Sequence, residues 1–442
     1  MKKVLILAYD FPPYVSVGGL RPYNWYLYLR ECGVEPIVIT RQWANDYGNN
    51  LDYVAPGKSN ETIVESSDKG TILRTPYIPN FANRLLLKHG EKKYAFLRRL
   101  VSAFYEFTEF MFPMGPKIQL FLEAKKYLKT NKVDAIIATG NPFVLFKYAH
   151  KLSKLYSIPW IADYRDPWTQ DPKRSKNIIL KTWDSFLEKK YVSHADSVIT
   201  VSDFFKRQIS TGLKGQKFHI ISNGFDPEVL NVVKEIKQND KELSIGFAGT
   251  IVEWSPIESF LRVINQYIIE HPDKPIRINF YGINTELKVR QLIDNKFTHL
   301  KKILTIYPKL NNDELVRLLA TNNLLLLFNY YSFTGTKIYD YLALKRKILL
   351  CYTNDKEAME LKSKFYYIDN GEDMNGNVQA DLINSTRSGI IVEDAMHLSK
   401  IIDENYAEFI LNKHIKCNSI NVENYSRKVQ VQLLSDVIKN IG

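Results

Sequence analysis

The chain has 442 residues, 45% hydrophobic and 24% charged, which is ordinary for a soluble globular protein and long enough for two domains with sizeable cores. Its formal net charge of +12 calls for an anionic partner, whether nucleic acid, nucleotide or anionic lipid. No apolar run approaches the length of a membrane span, and Cys32, Cys351 and Cys417 lie far apart without metal-ligand spacing, which suits a reducing cytoplasm.

The N-terminus begins like a signal peptide, but its apolar part is short, and Asp10 with Pro12-Pro13 ends it. Residues 4–9 read instead as an all-apolar strand. A proline-rich loop containing Gly18-Gly19 follows, then a helical stretch over 23–31 ended by Gly33, then a second strand over 36–40. This is a βαβ unit with a glycine loop at the carboxyl end of its first strand, where open α/β sheets bind ligands. The loop lacks the GxGxxG spacing of a dinucleotide site. Gly18-Gly19 lets a backbone approach a phosphate or a sugar, and Arg21 adds a charge; the plain alternative is a flexible loop.

Residues 45–69 are polar and turn-rich, a surface excursion, and 71–76 read as a strand. Arg84, Lys88, Lys92, Lys93, Arg98 and Arg99 then crowd the approach to an aromatic stripe at helical spacing, Phe96, Leu100, Phe104, Phe107 and Met111. Such a segment, Arg84 to Met111, suits an interfacial helix on an anionic membrane, or equally a helix that packs its aromatic face on its own domain. Strands over 133–138, 159–162, 197–201 and 218–221 alternate with helices over 146–156 and 178–193 and a further one after 201. The strand over 159–162 leads into Asp163-Tyr164-Arg165-Asp166-Pro167-Trp168, and the last into Ser222-Asn223-Gly224-Phe225-Asp226-Pro227.

A charged stretch over 233–242 reads as a linker, after which the pattern restarts. Strands over 243–247, 276–281, 303–307, 324–328, 348–351 and 389–392 alternate with helices over 257–269 and 313–320, and helices fill the C-terminus. The first of these strands runs into Ala248-Gly249-Thr250 and the second ends at Gly282. The run 324–328 is bounded by Asn322-Asn323 and Asn329 and suits a strand buried on both faces. Behind it, Ile338, Tyr341 and Leu342 recur at i, i+3, i+4, one face of a helix. Thr334 or Thr336 can cap that helix, Gly335 lets the backbone approach a ligand, and Lys337 stands at its start. A lysine there opposes the helix dipole unless an anion sits beside it, held by free amides and the ammonium together. Asp340, one turn in, can accept hydrogen bonds from a ribose. The plain alternative is a surface lysine at an ordinary strand-to-helix junction.

Two successive βαβ domains make an α/β protein with two mostly parallel sheets, and a ligand is expected between their carboxyl edges. The expected domains are 1–230, 231–405 and a set of C-terminal helices, 406–442, returning to the first domain.

In this order and setting the motifs resemble a retaining glycosyltransferase of the GT-B fold, most like family four, over nearly the whole chain. Phe11-Pro12-Pro13 with Gly18-Gly19 resembles that family's N-terminal glycine loop, and Ser222 to Asp226 its Asn-Gly-Val-Asp junction. Phe247 to Thr250 resembles the first strand end of its nucleotide-binding domain, and Gly335 to Ala343 its donor-site helix. Asp163 to Trp168 looks like the Asp-x-Arg-Asp-Pro-Trp signature of one bacterial branch. The resemblance implies transfer of a sugar from a nucleotide diphosphate to a hydroxyl acceptor, with retention and with no cofactor. Asp163, Arg165 and Asp166 would then contact the sugar or the acceptor. Gly18, Gly19, Arg21, Asn223, Gly249, Thr250, Gly282, Ser332, Thr334, Gly335, Thr336, Lys337 and Asp340 would bind the nucleotide sugar. A buried structural Asp–Arg pair is the alternative for the Asp163 cluster.

Some family positions differ. Of two glutamates eight apart, Asp340 fills the second place and Ser332 the first. Arg165 stands where a histidine is common, and Thr250 where an arginine is usual, with no lysine in Glu253-Trp254-Ser255. No two aspartates lie two positions apart, so the metal-binding DxD pair of another fold is absent and a metal-independent site is expected. Relatives of this kind build bacterial capsule, O-antigen or exopolysaccharide on polyprenyl-diphosphate carriers. The implied acceptor is therefore a glycan or a polyprenyl-diphosphate-linked one, and the implied location is cytoplasmic or peripheral on the inner membrane face. The competing readings are a non-catalytic partner subunit, a nucleotide-sugar epimerase of the same fold and, last, a nucleic-acid-binding protein, for which no basic recognition motif is present.

Overall fold

The computed structural model describes residues 1–14, 16–44, 50–171, 178–366 and 377–441. By its contacts the chain forms two units, Met1–Ser222 with Lys428–Gly442, and Asn223–Arg427. The sequence suggested crossings at 230 and 405. The first five residues of the expected excursion, 45–49, lie outside the described residues.

The first unit carries strands β1 (Lys2–Leu7), β2 (Val34–Arg41), β3 (Ile63–Ser66), β4 (Thr71–Thr75), β5 (Ala135–Gly140), β6 (Trp160–Tyr164), β7 (Ser197–Thr200) and β8 (Phe218–Ile220). Their order across the sheet is β3-β4-β2-β1-β5-β6-β7-β8, all parallel except β3, which runs antiparallel to β4. Val4 to Leu7 are fully buried because helices cover both faces of a parallel sheet, as the uninterrupted apolar run predicts. The helix Arg427–Lys439 adds Val431, Leu434 and Ile438 to the same core as Val4, Ile6 and Val34.

The first helix starts earlier than its apolar spacing suggests. It runs Val17–Tyr28, and Ser16 caps it by accepting the Gly19 N–H at 2.9 Å. Gly18 and Gly19 therefore lie in the first helical turn rather than in a loose loop. The glycine pair and Pro22 obscured that start, since neither favours a helix interior.

The second unit carries β9 (Leu243–Ala248), β10 (Ile276–Tyr281), β11 (Leu304–Tyr307), β12 (Leu324–Phe328), β13 (Lys347–Cys351) and β14 (Gly389–Val392). They form one parallel sheet in the order β11-β10-β9-β12-β13-β14. Along β12 the side chains divide between two cores. Leu324, Leu326 and Phe328 join one and Leu325 and Leu327 the other, so the strand is buried on both faces as expected. The α/β class with two mostly parallel sheets is thus borne out. The expected linker over 233–242 begins inside a short helix, Glu228–Lys234.

Within the second unit, the segments that enter and leave it lie side by side. Phe225 donates its N–H to the Tyr425 carbonyl at 3.1 Å, and Arg427 donates its N–H to the Phe225 carbonyl at 2.8 Å. Arg427 Nε also donates to the Gly224 carbonyl at 2.9 Å. A Cβ at Gly224 would lie 2.6 Å from the Tyr425 oxygen and 2.8 Å from the Arg427 nitrogen. Those are backbone atoms engaged in pairing and cannot swing aside. Gly224→Ala is therefore expected to lower stability by about 1–3 kcal/mol, read by denaturant unfolding; an unchanged unfolding midpoint would refute this close approach.

Candidate functional site

In the first unit, the carboxyl ends of β1, β5 and β6 gather the Asp-x-Arg-Asp segment and the glycine pair. The three charged residues of that segment separate at once. Asp163 lies inside β6 and is fully buried; Arg165 is half-buried; Asp166 is exposed in the following bend. Asp163 Oδ1 accepts from Arg21 Nε at 2.9 Å, and Arg21 Nη1 donates to the Ile221 carbonyl at 2.8 Å. Arg21 is itself buried. Arg21, expected at the nucleotide sugar, and Asp163, expected at the sugar or the acceptor, form a buried ion pair with each other, while Arg21 Nη2 and Asp163 Oδ2 have no hydrogen-bond partner among the described residues. The reason is position, since Asp163 precedes the end of the strand and Arg21 faces it from the covering helix.

Arg165 is clamped differently. Its Nε donates to the Gly140 carbonyl at 2.9 Å and its Nη2 to the Asn141 carbonyl at 3.0 Å. The remaining Nη1 lies against Gly18, where a Cβ would overlap it and would stand 2.9 Å from Asp10 Oδ2. Asp10 was missed as a candidate because it read only as the end of an apolar run. Its carboxylate accepts from Ser16 Oγ at 3.2 Å, and its other oxygen is buried with no hydrogen-bond partner. Burial raises the Asp10 carboxyl above the usual carboxylate range, while the Arg165 charge pulls it back. Gly19 is close-packed too, with Phe11 N and Ser16 Oγ each 3.3 Å from an added Cβ.

In the second unit, loops at the carboxyl ends of β9, β10 and β12 hold the other candidates. Gly249 and Gly282 each follow a strand end with φ of 80° and 58°, a conformation that favours glycine. The Thr250 carbonyl accepts from Lys337 Nζ at 3.2 Å, and Lys337 Nζ sits 3.9 Å from the centre of the Phe247 ring. No carboxylate pairs with this ammonium among the described residues. Burial without a counter-charge lowers the Lys337 pKa to about 7.

Lys337 opens the helix Lys337–Leu344, whose Ile338, Tyr341 and Leu342 are buried as their spacing predicts. Thr336 occupies the cap position but makes no side-chain cap bond, so neither expected cap acts through its hydroxyl. Among the described residues, the amides of Gly335, Thr336 and Lys337 find no acceptor. Gly335 has φ of 67°, and Thr334 accepts from Gln379 Nε2 at 2.9 Å through its carbonyl. Ser332 donates its N–H to Tyr366 Oη at 3.1 Å. Asp340 is exposed at its surface yet hemmed by protein, which raises its carboxyl to about 6, with Arg427 acting in the opposite sense. Asn223 is half-buried and begins the second unit.

Gln379 fixes this loop, and sequence reasoning missed it. Fully buried, it accepts the Tyr330 N–H at 2.8 Å through Oε1 and donates to Thr334 through Nε2, pinning both ends of the turn. Tyr366 adds a bond to the Tyr330 carbonyl at 3.0 Å and packs edge-on against Trp254. None of these partners is near in sequence.

A parallel sheet in each unit, with glycines at the strand ends, is the arrangement of the GT-B fold, and that is the fold class of this chain. Residues 22–229 match the model of Glycosyltransferase Family 4, which bears out the resemblance to that family read from the motifs. The fold is shared with solved structures over essentially the full length. A glycosyltransferase from Rickettsia africae is 14% identical, covering 99% of this chain and 98% of its own, with a TM-score of 0.56. The E. coli trehalose-6-phosphate protein bound with UDP-2-fluoro glucose is 11% identical over 100% and 99%, also at 0.56. Anabaena Alr3699/HepE in complex with UDP-glucose is 13% identical over 100% of both chains, at 0.52. No curated protein sequence matches the chain.

The Gly18–Arg165 contact gives a direct test. Gly18→Ala must displace the guanidinium and is expected to cost about 1–3 kcal/mol by denaturant unfolding. In an Arg165→Ala background most of that cost should vanish. Additive losses would show that the two do not touch.

Proposed function

We propose that this chain transfers a sugar from a nucleoside-diphosphate donor to a hydroxyl acceptor with retention of anomeric configuration. The observation that carries the reading is the start of the helix Lys337–Leu344. Unpaired amides and an ammonium without a counter-ion meet there, beyond a buried strand. That arrangement suits a diphosphate. The barrier in such a transfer lies in departure of the leaving group, so charge must be stabilised on the diphosphate as it forms. Lys337 and the amides of Gly335 and Thr336 supply that stabilisation without a metal ion in this reading. Gly249 and Gly282 leave room for the nucleotide's backbone contacts, and Asp340 is placed to accept from a ribose. In the first unit, Arg165 and Asp10 are assigned to the acceptor in this reading, and the Arg21–Asp163 ion pair belongs to the frame of that unit. The acceptor is a glycan on a polyprenyl-diphosphate carrier, and the product a bacterial capsule, O-antigen or exopolysaccharide. The enzyme works from the cytoplasmic side, peripheral to an anionic membrane through Arg84–Met111. Nucleotide-sugar complexes of fold neighbours support the donor class.

The lysine makes a pH-dependent prediction. With a pKa of about 7 against an ordinary 10.5, unliganded Lys337 is mostly neutral between those values. A bound diphosphate favours the charged form and raises the pKa, so binding should take up a proton in that window. Calorimetry of UDP binding at about pH 8.5, in buffers of different ionisation enthalpy, should show the uptake, and it should fade by about pH 6. Lys337→Ala should abolish the uptake and weaken binding by about 1.5–3 kcal/mol. Unchanged affinity in the variant would refute the donor site.

The reaction itself is checked on the product. Nuclear magnetic resonance of the transferred sugar should show the donor's anomeric configuration, and turnover should persist in EDTA. Inversion, or activity lost to EDTA and restored by manganese, would overturn the reading. Donor binding with no turnover would favour a non-catalytic partner, and epimer release without acceptor an epimerase.

A further inference from the structure

The helix Ala95–Thr108 barely packs on its own unit: Thr108 is its one residue recorded as buried. Its aromatic stripe faces outward, with Phe96 76% and Phe104 57% exposed. The end of this helix is nevertheless held firmly. Lys147, itself buried, donates to the Glu109 and Phe112 carbonyls, and Phe110 stacks on Trp168 with ring centres 5.4 Å apart. An apolar face is therefore fixed in an outward position.

A second helix, Ile178–Val192, continues that face. Its inner side buries Leu187, Tyr191 and Val192, while Ile178 is 74% and Ile179 73% exposed. Phe107 meets Trp183 with ring centres 5.2 Å apart, joining the two helices' aromatic residues. Ile178, Ile179, Thr182, Trp183 and Phe186 line an open groove of about 610 Å³. The sequence offered this helix only as an ordinary element of the βα alternation.

Charge indicates what covers the face. Lys92, Lys93 and Arg99 border the first helix, and Lys181, Lys189 and Lys190 the second, all exposed. Lys190 lies 5.6 Å from the Phe186 ring, its ammonium beside the apolar surface. Glu109 is turned inward onto Lys117, and Glu188 onto Tyr164 and Gln170, so two of the local carboxylates offset none of the outward charge. Glu91, Glu106 and Asp184 remain against the cations. A broad apolar patch bordered by lysine and arginine fits an anionic lipid surface rather than a protein of mixed charge.

We propose that Ile178–Val192 is a second lipid-facing element, and that Ile178, Ile179 and Phe186 enter the acyl boundary of an anionic bilayer beside Phe96 and Phe104. The proposal extends the membrane placement given under Proposed function and makes that surface composite. Lysines at the rim stay at headgroup level while their stems lie along the apolar face.

The test is co-sedimentation of the full chain with vesicles of phosphatidylglycerol and phosphatidylcholine, at low and high salt, without donor. The wild type should bind phosphatidylglycerol vesicles at low salt and less at high salt. Its Trp emission should shift to the blue on binding, and Trp183→Phe should lose much of that shift. A combined Ile178→Ser, Ile179→Ser, Phe186→Ser variant should bind about tenfold less while keeping its circular dichroism spectrum. Binding by that variant equal to wild type would overturn the proposal and leave Arg84–Met111 as the contact. A wild type that ignores the vesicles would overturn both membrane claims. A wild-type dimer that the same variant converts to monomer would assign the face to a second copy instead. Donor turnover, measured separately, stays a readout of the transferase reading alone, because none of the substituted residues is one assigned to the donor or the acceptor.

Discussion

The strand Leu324–Phe328 has no face left for solvent, and much of the second unit follows from that constraint. A strand packed on both sides must pair with neighbours on both edges, and β12 lies between β9 and β13. Parallel pairing then brings the ends of β9, β10 and β12 to one edge. Gly249, Gly282 and the turn at Tyr330 to Thr336 emerge together there because the sheet aligns them. Gln379 and Tyr366 convert that alignment into a fixed loop, and the fixed loop places Lys337 under the Thr250 carbonyl.

What could be read from the sequence was whatever a local pattern records. Apolar runs gave thirteen strands at nearly the observed positions, because a strand buried on both faces leaves no gap in the run. β3 was overlooked for the converse reason: Ile63 to Ser66 lie exposed at a sheet edge, where no burial pattern is imposed. The strand-to-helix junction at Lys337 was legible from Ile338, Tyr341 and Leu342, but its true fixings were not. Gln379 reaches the loop from over forty residues away, and long-range contacts leave no periodic trace. The same limit applies to Arg21 and Asp163, whose separation in the chain hides their pairing. Asp10 had a local cue, an acid closing the first strand, yet its meaning rests on Gly18 and Arg165.

These sites hold buried charges in two different ways, and the difference separates support from chemistry. Arg21 and Asp163 neutralise each other, with a carbonyl taking a further N–H of the guanidinium. Removing either partner strands the other in a dry setting, at a cost of about 3–5 kcal/mol, so the pair behaves as part of the frame. Lys337 has an aromatic face and one carbonyl oxygen instead, neither carrying a formal negative charge. Its proton is therefore weakly held, as the pKa of about 7 records. A site that supplied its own carboxylate would bind a diphosphate only by breaking an ion pair. This one leaves the counter-charge to the ligand, so the interaction is made when the anion arrives and strengthens as its charge grows. Thr250 and Ser332 bring no charge to this loop, whose cations are Lys337 and Lys362, the latter 4.0 Å from the centre of the Tyr331 ring.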